Sequence, residues 1–199
     1  IIMSLVVCTV IFILVAVVMT GMTDWRQLGT AEPILTALNL ASGNETLLAM
    51  DVHTGTHVEG PLHFMASGKA LDMFPIERFV GPAYVADVGD VPMVTAAVLD
   101  GAAIPPDATR LLVKTRNALL WEQSPNDFRE DFVGLDCSGA EWIVSHGITL
   151  VGLDYLSIAA FSHATPVHHI LMAADVIIVE GLALRVVASG WRRAAYTSS

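Results

Sequence analysis

The stretch DVHTGTHVEGPLHF, residues 51–64, contains four side chains that can bind metals: His53, His57, Glu59 and His63. On an α-helix His53 and His57 would share a face, whereas Glu59 and His63 would lie far around the cylinder. The glycines and the proline of this stretch would also break a helix. In an extended chain alternate residues point to one face, and all four polar residues are odd-numbered. We therefore predict an extended strand, kinked at its glycines, that directs all four side chains the same way.

Imidazole nitrogens and carboxylate oxygens are the ligands of Zn²⁺, Mn²⁺ and Fe²⁺ in proteins. The alternative is a loop whose histidines are solvated or hydrogen-bonded in the core, but three histidines in phase with a carboxylate favour a metal site. Such a site needs further ligands from elsewhere in the chain. His168 lies near the start of a predicted helix. Glu180 ends an apolar run, and it is either a metal ligand at a sheet edge or an exposed residue at the tip of a strand. We expect His146 to be a cation at a helix C-terminus and His163 to be solvated.

Composition limits the possible functions of the 199 residues. Clustered Lys and Arg side chains, which bind nucleic-acid phosphates, are missing from a sequence of net charge −10, so nucleic-acid binding is excluded. Two cysteines, Cys8 and Cys137, form no CxxC motif, which excludes a thiolate zinc site. We expect both to be free thiols in the reducing cytoplasm. The length is right for a single domain, residues 1–199, with a large core.

Residues 1–23 form an apolar segment without any charged side chain. About 20 such residues could span a membrane, and a signal peptide is also conceivable although no basic residue precedes the run. The density of Val and Ile instead favours buried strand. We expect buried strand here, so membrane attachment is the less favoured alternative.

The remaining chain alternates between apolar strand patterns and a few helices, which predicts an α/β or α+β domain. Ser138 and Glu141 have the spacing of a capping box and predict a helix over residues 138–147. A second helix is predicted over residues 166–175, with proline in its first turn. The predicted strands are residues 45–53, 79–88, 108–115, 148–155 and 176–182.

The motif HTGTHVEGPLHF resembles the H-x-G-T-H-x-D-x-P-x-H-F signature of the cyclase family of metal-dependent hydrolases, which includes bacterial kynurenine formamidase and isatin hydrolase. The similarity continues through the segments 68–83, 111–117, 131–135, 152–158 and 166–182. The resemblance implies an α/β fold, a single swivelling β/β/α domain with a mixed sheet core and flanking helices. It also implies assembly as a homodimer or homotetramer.

The resemblance implies ligands for one or two divalent ions, Zn²⁺ or Mn²⁺: His53, His57, Glu59, His168 and Glu180. Glu59 and Glu180 would each bridge the two ions, and His63 matches the family's proton donor and acceptor. The family usually has Asp at the position of Glu59. The extra methylene moves the carboxylate by about 1.5 Å, so the resemblance leaves open whether one ion or two are bound.

The implied activity is hydrolysis of a carbon–nitrogen amide bond by a metal-activated water. The substrate would be a small molecule, either an aryl formamide or a cyclic amide such as N-formylkynurenine or isatin. Trp25, Phe64 and Phe74 could face an aryl ring, although aromatic residues also serve as ordinary core. Two rival functions stay open: a lactone hydrolase or cyclase/dehydratase on the same scaffold, and a catalytically inert metal-binding protein.

Overall fold

The computed structural model of the protein describes residues 34–40, 43–123 and 128–192. The apolar segment of residues 1–23 and Trp25 lie outside the described residues, so their predicted roles stay predictions. In the described part of the chain, no helix is both long and apolar enough to cross a membrane.

A six-stranded mixed sheet forms the centre of the fold, with strand order β3-β7-β6-β5-β4-β8. Strands β4 to β7 run parallel, and β3 and β8 pair antiparallel at the two edges. The strands are β3 (His57–Glu59), β4 (Ala83–Asp87), β5 (Arg110–Lys114), β6 (Leu150–Leu153), β7 (Ile177–Glu180) and β8 (Gly190–Arg192). A separate antiparallel hairpin precedes them, made of β1 (Ile34–Leu40) and β2 (Gly43–Ala49).

Four α-helices accompany the sheet in the described residues: α1 (Ala96–Gly101), α2 (Asn117–Gln123), α3 (Cys137–Ser145) and α4 (Ala164–Ala173). They lie in the connections between the parallel strands, because parallel neighbours need a crossover. The mixed α/β fold with flanking helices is therefore confirmed. The capping box predicted at Ser138 is wrong, because Asp136 caps α3 by accepting a hydrogen bond from the Gly139 amide at 2.8 Å.

Side chains of the parallel strands alternate between two hydrophobic clusters, one on each face of the sheet. On the face covered by helices, Leu111, Val113 and Ile178 are fully buried in the larger cluster. On the opposite face, Ile177 and Val179 belong to a smaller cluster. Full burial of one such side chain contributes about 1.5–3 kcal/mol, so the middle of the sheet is the firmest part of the fold.

The histidine-rich motif departs from the predicted continuous strand. Only His57–Glu59 are in β3, and the preceding residues form a turn. The Asp51 carboxylate accepts a hydrogen bond from the His53 amide at 2.8 Å, as aspartates in turns commonly do. After β3, Pro61 begins a short 3₁₀ helix that ends at His63. The four side chains are thus brought together by two turns around a very short strand.

Candidate metal centre

The pairing of β3 with β7 places three polar residues at one end of the sheet. His57 lies opposite Glu180 in the antiparallel register, and Glu59 lies opposite Ile178. Val58, between them, packs against the smaller cluster on the other face. Because alternate residues face opposite sides, His57, Glu59 and Glu180 project to the face on which α4 lies.

Close approach of two backbone segments holds Glu180 against the motif. Gly181 follows Glu180 with φ +70°, a conformation that favours glycine. Its carbonyl accepts a hydrogen bond from the Thr56 hydroxyl at 2.7 Å. A β-carbon at Gly181 would lie 2.8 Å from the Gly55 carbonyl oxygen, so a side chain there would push the two segments apart.

Four ligand atoms converge at this end of the sheet. His53 Nδ1 lies 3.0 Å from Glu59 Oε1, and His57 Nε2 lies 3.5 Å from the same oxygen. His57 Nε2 also lies 3.4 Å from Glu180 Oε2. One ligand atom from each of these four residues falls within 4.8 Å of all the others. Ligands bonded at about 2.0–2.2 Å to one ion lie no more than about 4.4 Å apart, so small shifts would let this set surround a cation.

Helix α4 adds His168 from the other side of the two carboxylates. His168 Nε2 lies 3.3 Å from Glu180 Oε1 and 3.6 Å from Glu59 Oε2. The oxygens that face His53 and His57 are the other ones, Glu59 Oε1 and Glu180 Oε2. Each carboxylate therefore offers one oxygen to each group of histidines, which is the arrangement a bridging ligand requires.

Backbone carbonyl groups fix how two of the histidines present their nitrogens. His57 Nδ1 lies 3.0 Å from the Gly55 oxygen, and His168 Nδ1 lies 2.6 Å from the Ala164 oxygen. A carbonyl oxygen only accepts hydrogen bonds, so both Nδ1 atoms carry the proton. Each Nε2 atom then faces the carboxylates, as in histidines whose second nitrogen is oriented for metal binding.

The two carboxylates strongly favour protonated histidines when no cation is present. Burial opposes protonation of His57, but its hydrogen bonds to the Glu180 and Glu59 carboxylates overcome this effect and raise its pKa to about 10. The pKa of His168 is raised in the same way, since the contact with Glu180 outweighs the effect of burial. Conversely, the neighbouring His168 and His57 hold the pKa of Glu180 below its usual value despite burial. The two carboxylates therefore favour positive charge at this centre, carried either by protons or by a cation.

One buried oxygen shows that protons alone do not satisfy the centre. Glu59 is 5% exposed, and its Oε2 atom has no hydrogen-bond partner among the described residues. A buried acceptor without a partner is costly, and more so when it is charged. A divalent cation between Glu59, Glu180 and the histidines would satisfy this oxygen, so the donor set fits such an ion.

His63 stands beside this group, at its open side. Its Nε2 atom lies 3.5 Å from Glu59 Oε1, and its side chain is 37% exposed. The ring is held edge-on between His53 and Phe64, with centroids 4.8 and 4.9 Å away. His63 can therefore reach both the centre and a molecule entering from solvent.

The aromatic residues proposed to face a substrate have different positions. Phe64 stacks on the His168 ring at 4.3 Å between centroids, with only 18° between the planes. Phe74 is buried in the smaller cluster on the far face of the sheet, which favours the packing alternative for this residue. Phe64 thus packs against His168 and His63. Neither Phe64 nor Phe74 is among the residues that line the cleft at the open side of the centre.

A cleft of about 300 Å³ opens onto the centre. Its polar walls are His53, His57, Glu59 and His63, and its other walls are largely apolar, with one lysine: Val52, Val58, Gly60, Leu62, Lys69, Ala70 and Leu71. Sequence patterns gave no sign of these apolar walls or of the lysine. They also missed the Ile158 amide, which donates a 2.7 Å hydrogen bond to Glu180 Oε1, because a loop backbone donor leaves no mark in residue types.

Comparison with known proteins identifies the family of the chain. The model of the putative cyclase family matches residues 14–160. The chain belongs to the putative cyclase family. Its family match begins inside the apolar segment and covers the whole histidine-rich motif, whereas His168 and Glu180 lie beyond it and are joined to the motif by the structure.

Curated relatives share about a third of the residues of this cyclase-family chain. Cyclase-like protein 2 of Oryza sativa subsp. japonica is 38% identical over 161 residues, which cover 76% of the chain and 58% of that protein. Kynurenine formamidase of Salinibacter ruber is 36% identical over 156 residues, covering 75% of the chain and 70% of that protein. The chain thus spans less than two thirds of the length of Cyclase-like protein 2.

Solved structures show the same fold. A predicted metal-dependent hydrolase from Bacillus stearothermophilus is 30% identical, with a TM-score of 0.65 over 80% of the chain and 76% of its own. Isatin hydrolase A from Labrenzia aggregata superposes with a TM-score of 0.66 over 82% of the chain and 76% of its own. At 20% identity the second likeness supports the fold of the cyclase-family chain alone.

Proposed function

We propose that this chain is a metal-dependent hydrolase that cleaves the carbon–nitrogen bond of an aryl formamide or a cyclic amide, such as N-formylkynurenine or isatin. The observation that carries the proposal is the split of the Glu59 and Glu180 carboxylates between two groups of histidines, with one buried Glu59 oxygen that has no hydrogen bond among the described residues. The similarity to a kynurenine formamidase and to a metal-dependent hydrolase supports this reaction class.

Five side chains would hold one or two divalent ions, Zn²⁺ or Mn²⁺: His53, His57, Glu59, His168 and Glu180. When bound, a divalent ion lowers the pKa of water so that hydroxide is available near neutral pH, and it polarises a carbonyl group. Glu59 and Glu180 balance the charge of one such ion. The Ile158 amide keeps Glu180 in place through its 2.7 Å hydrogen bond.

His63 is proposed as the residue that moves protons. Its ring borders the cleft and lies within 3.5 Å of Glu59, so it reaches the side of the centre that a substrate would approach. Imidazole can accept a proton as a nucleophile forms and return it to a leaving nitrogen. The apolar walls of the cleft would exclude water from an aryl ring held beside it.

Metal analysis of the purified protein tests the centre. Wild type should contain at least one divalent ion per chain, and His57→Ala and Glu180→Ala should each lose most of it, because the remaining ligands bind weakly. His146→Ala is the matched control, since His146 lies at the end of α3 outside the centre. Unchanged metal content in both centre variants would refute the assignment.

A substrate panel separates the reaction classes. We expect the metal-loaded protein to hydrolyse N-formylkynurenine or isatin. Turnover of lactones without amides would instead support a lactone hydrolase on this scaffold. Full metal occupancy without turnover of any panel member would support the inert metal-binding protein.

Cytoplasmic location and assembly as a homodimer or homotetramer are also proposals. The absence of a disulfide framework from the two-cysteine sequence supports the reducing compartment, and the family resemblance supports the oligomer. Fractionation of the source cells and light scattering of the purified chain test them separately.

A further inference from the structure

A single lysine shares the cleft with the centre. Lys69 lines the same cleft as His53, His57 and His63, and no other Lys or Arg is among the described residues that line it. The polar residues of the centre supply negative charge, through Glu59 and Glu180. Among the described lining residues, Lys69 is therefore the one whose side chain could bring a positive charge to this cleft.

The backbone ties Lys69 to the turn that carries His63. The Lys69 carbonyl accepts a hydrogen bond from the Leu62 amide at 3.1 Å. Gly68 packs so closely on Pro61 that a β-carbon there would lie 2.4 Å from the Pro61 carbonyl carbon. Lys69 is therefore held at a fixed place beside the cleft, while its long side chain can still move.

The present partner of the lysine ammonium is easily exchanged. Lys69 forms an ion pair with Asp175, and the two side chains are 50% and 38% exposed. Ion pairs this exposed contribute little to stability because water competes for both groups. Asp175 is the fixed partner, since its backbone carbonyl accepts a hydrogen bond from Arg78. The ammonium also lies 5.6 Å from the centroid of the Phe74 ring. Both contacts are weak at exposed sites, so the ammonium can turn from Asp175 and Phe74 towards an anion in the cleft.

The charge balance of the centre indicates which kind of ligand Lys69 would bind. Two carboxylates at the centre offset one divalent ion, so Lys69 is left without a counterpart among the cleft walls. The neighbouring Val52, Leu62 and Leu71 are apolar, and they fit a ring. We propose that Lys69 is a specificity-determining residue that binds a carboxylate carried on the aryl ring of the substrate. This inference rests on the proposed amide hydrolysis and adds that the preferred substrate is anionic.

Matched substrates test the inference through KM. Formanilide is the neutral member, and the ortho, meta and para formamidobenzoates carry the same scissile bond with a carboxylate added. Wild type should prefer one formamidobenzoate isomer. Lys69→Met should raise the KM of that isomer on the order of 10- to 100-fold, as expected for loss of a hydrogen bond between charged groups. Formanilide should change by less than about twofold, and Lys69→Arg should keep most of the preference.

Asp175→Asn distinguishes recognition from a purely structural ion pair. If Lys69 binds substrate, freeing it from Asp175 should leave the KM of the preferred formamidobenzoate unchanged or lower it. If the pair only fastens the loop, Lys69→Met and Asp175→Asn should impair formanilide and the formamidobenzoate equally. That equal loss would overturn the inference.

If the protein hydrolyses no amide, the proposed function is refuted, but the role of Lys69 can still be tested by direct binding. Calorimetry on the metal-loaded full chain would compare benzoate with the neutral benzamide. Benzoate should bind Lys69→Met at least about tenfold more weakly than wild type, the low end expected for one charged hydrogen bond, and benzamide should bind both equally. Equal benzoate affinities for the two proteins would overturn the role of Lys69.

Discussion

Uptake of a divalent ion by the metal-free protein is expected to release protons from His57 and His168. Glu180 and Glu59 raise the pKa of His57 to about 10 against the effect of burial, and the pKa of His168 is raised too. Removing the His57 proton at pH 7, about three pH units lower, costs about 4 kcal/mol. Glu180, whose pKa is lowered, is already ionised and contributes no proton.

The sign and size of the pH dependence follow from these protons. A metal that displaces one proton gains about tenfold in apparent affinity per pH unit, and one that displaces two gains about a hundredfold. At pH 6, where both histidines are protonated, about two protons should leave. Affinity should therefore rise between pH 6 and pH 8.

Isothermal titration calorimetry of metal-free protein with Zn²⁺ or Mn²⁺ measures both quantities. Repeating the titration in buffers of different ionisation enthalpy gives the number of protons released. His146→Gln, an exposed histidine outside the centre, should give the wild-type number. Release of fewer than about half a proton at pH 6, together with equal affinity at pH 6 and pH 8, would refute the protonated centre described above.

Three further substitutions test separate parts of the centre. His63→Ala should keep its metal and lose about 10²–10⁴-fold in kcat, the usual contribution of a proton-transfer group; wild-type turnover would remove it from the mechanism. Phe64→Leu should fold but bind metal about 10–100-fold more weakly in calorimetry, because loss of the stacked ring frees His168; an unchanged affinity would make Phe64 ordinary packing. Gly181→Ala should lower the free energy of unfolding by about 1–3 kcal/mol in urea titrations, because its φ of +70° suits glycine; unchanged stability would contradict the close approach to Gly55.

The strands at the middle of the sheet could be predicted because their residue types point to one answer. β6 and β7 consist mostly of Val, Leu and Ile and are buried on both faces, and β5 has the same apolar residues at its centre. Their ends were predicted too long, since apolar residues beyond the sheet look the same in sequence. The cap of α3 was misplaced by two residues, because Asp136 and Ser138 are both good capping residues and only the structure shows which amide is in reach.

The residue types of the candidate centre were visible in the sequence, but the way in which they are assembled was not. His57 and Glu180 are 123 positions apart, and their contact depends on antiparallel pairing of β3 with β7, which residue types do not specify. The odd-numbered spacing of the four polar residues predicts one strand. In the structure, the turn at Asp51 and the 3₁₀ helix that begins at Pro61 bend the backbone on either side of β3. The four side chains of the motif do lie close together, but two turns around a short strand bring them together instead of the continuous strand that was predicted.

Glu59 shows how the longer side chain can still serve as a bridge. Its Oε1 atom lies 3.0 Å from His53, and its Oε2 atom lies 3.6 Å from His168, so one carboxylate reaches both groups of histidines. The residue lies on β3, an edge strand that pairs only with β7 in the described sheet. An edge strand is restrained on one side only, so its backbone can move by the length of a methylene more easily than a central strand can. Placement on an edge therefore allows Glu at a position where the family pattern has Asp.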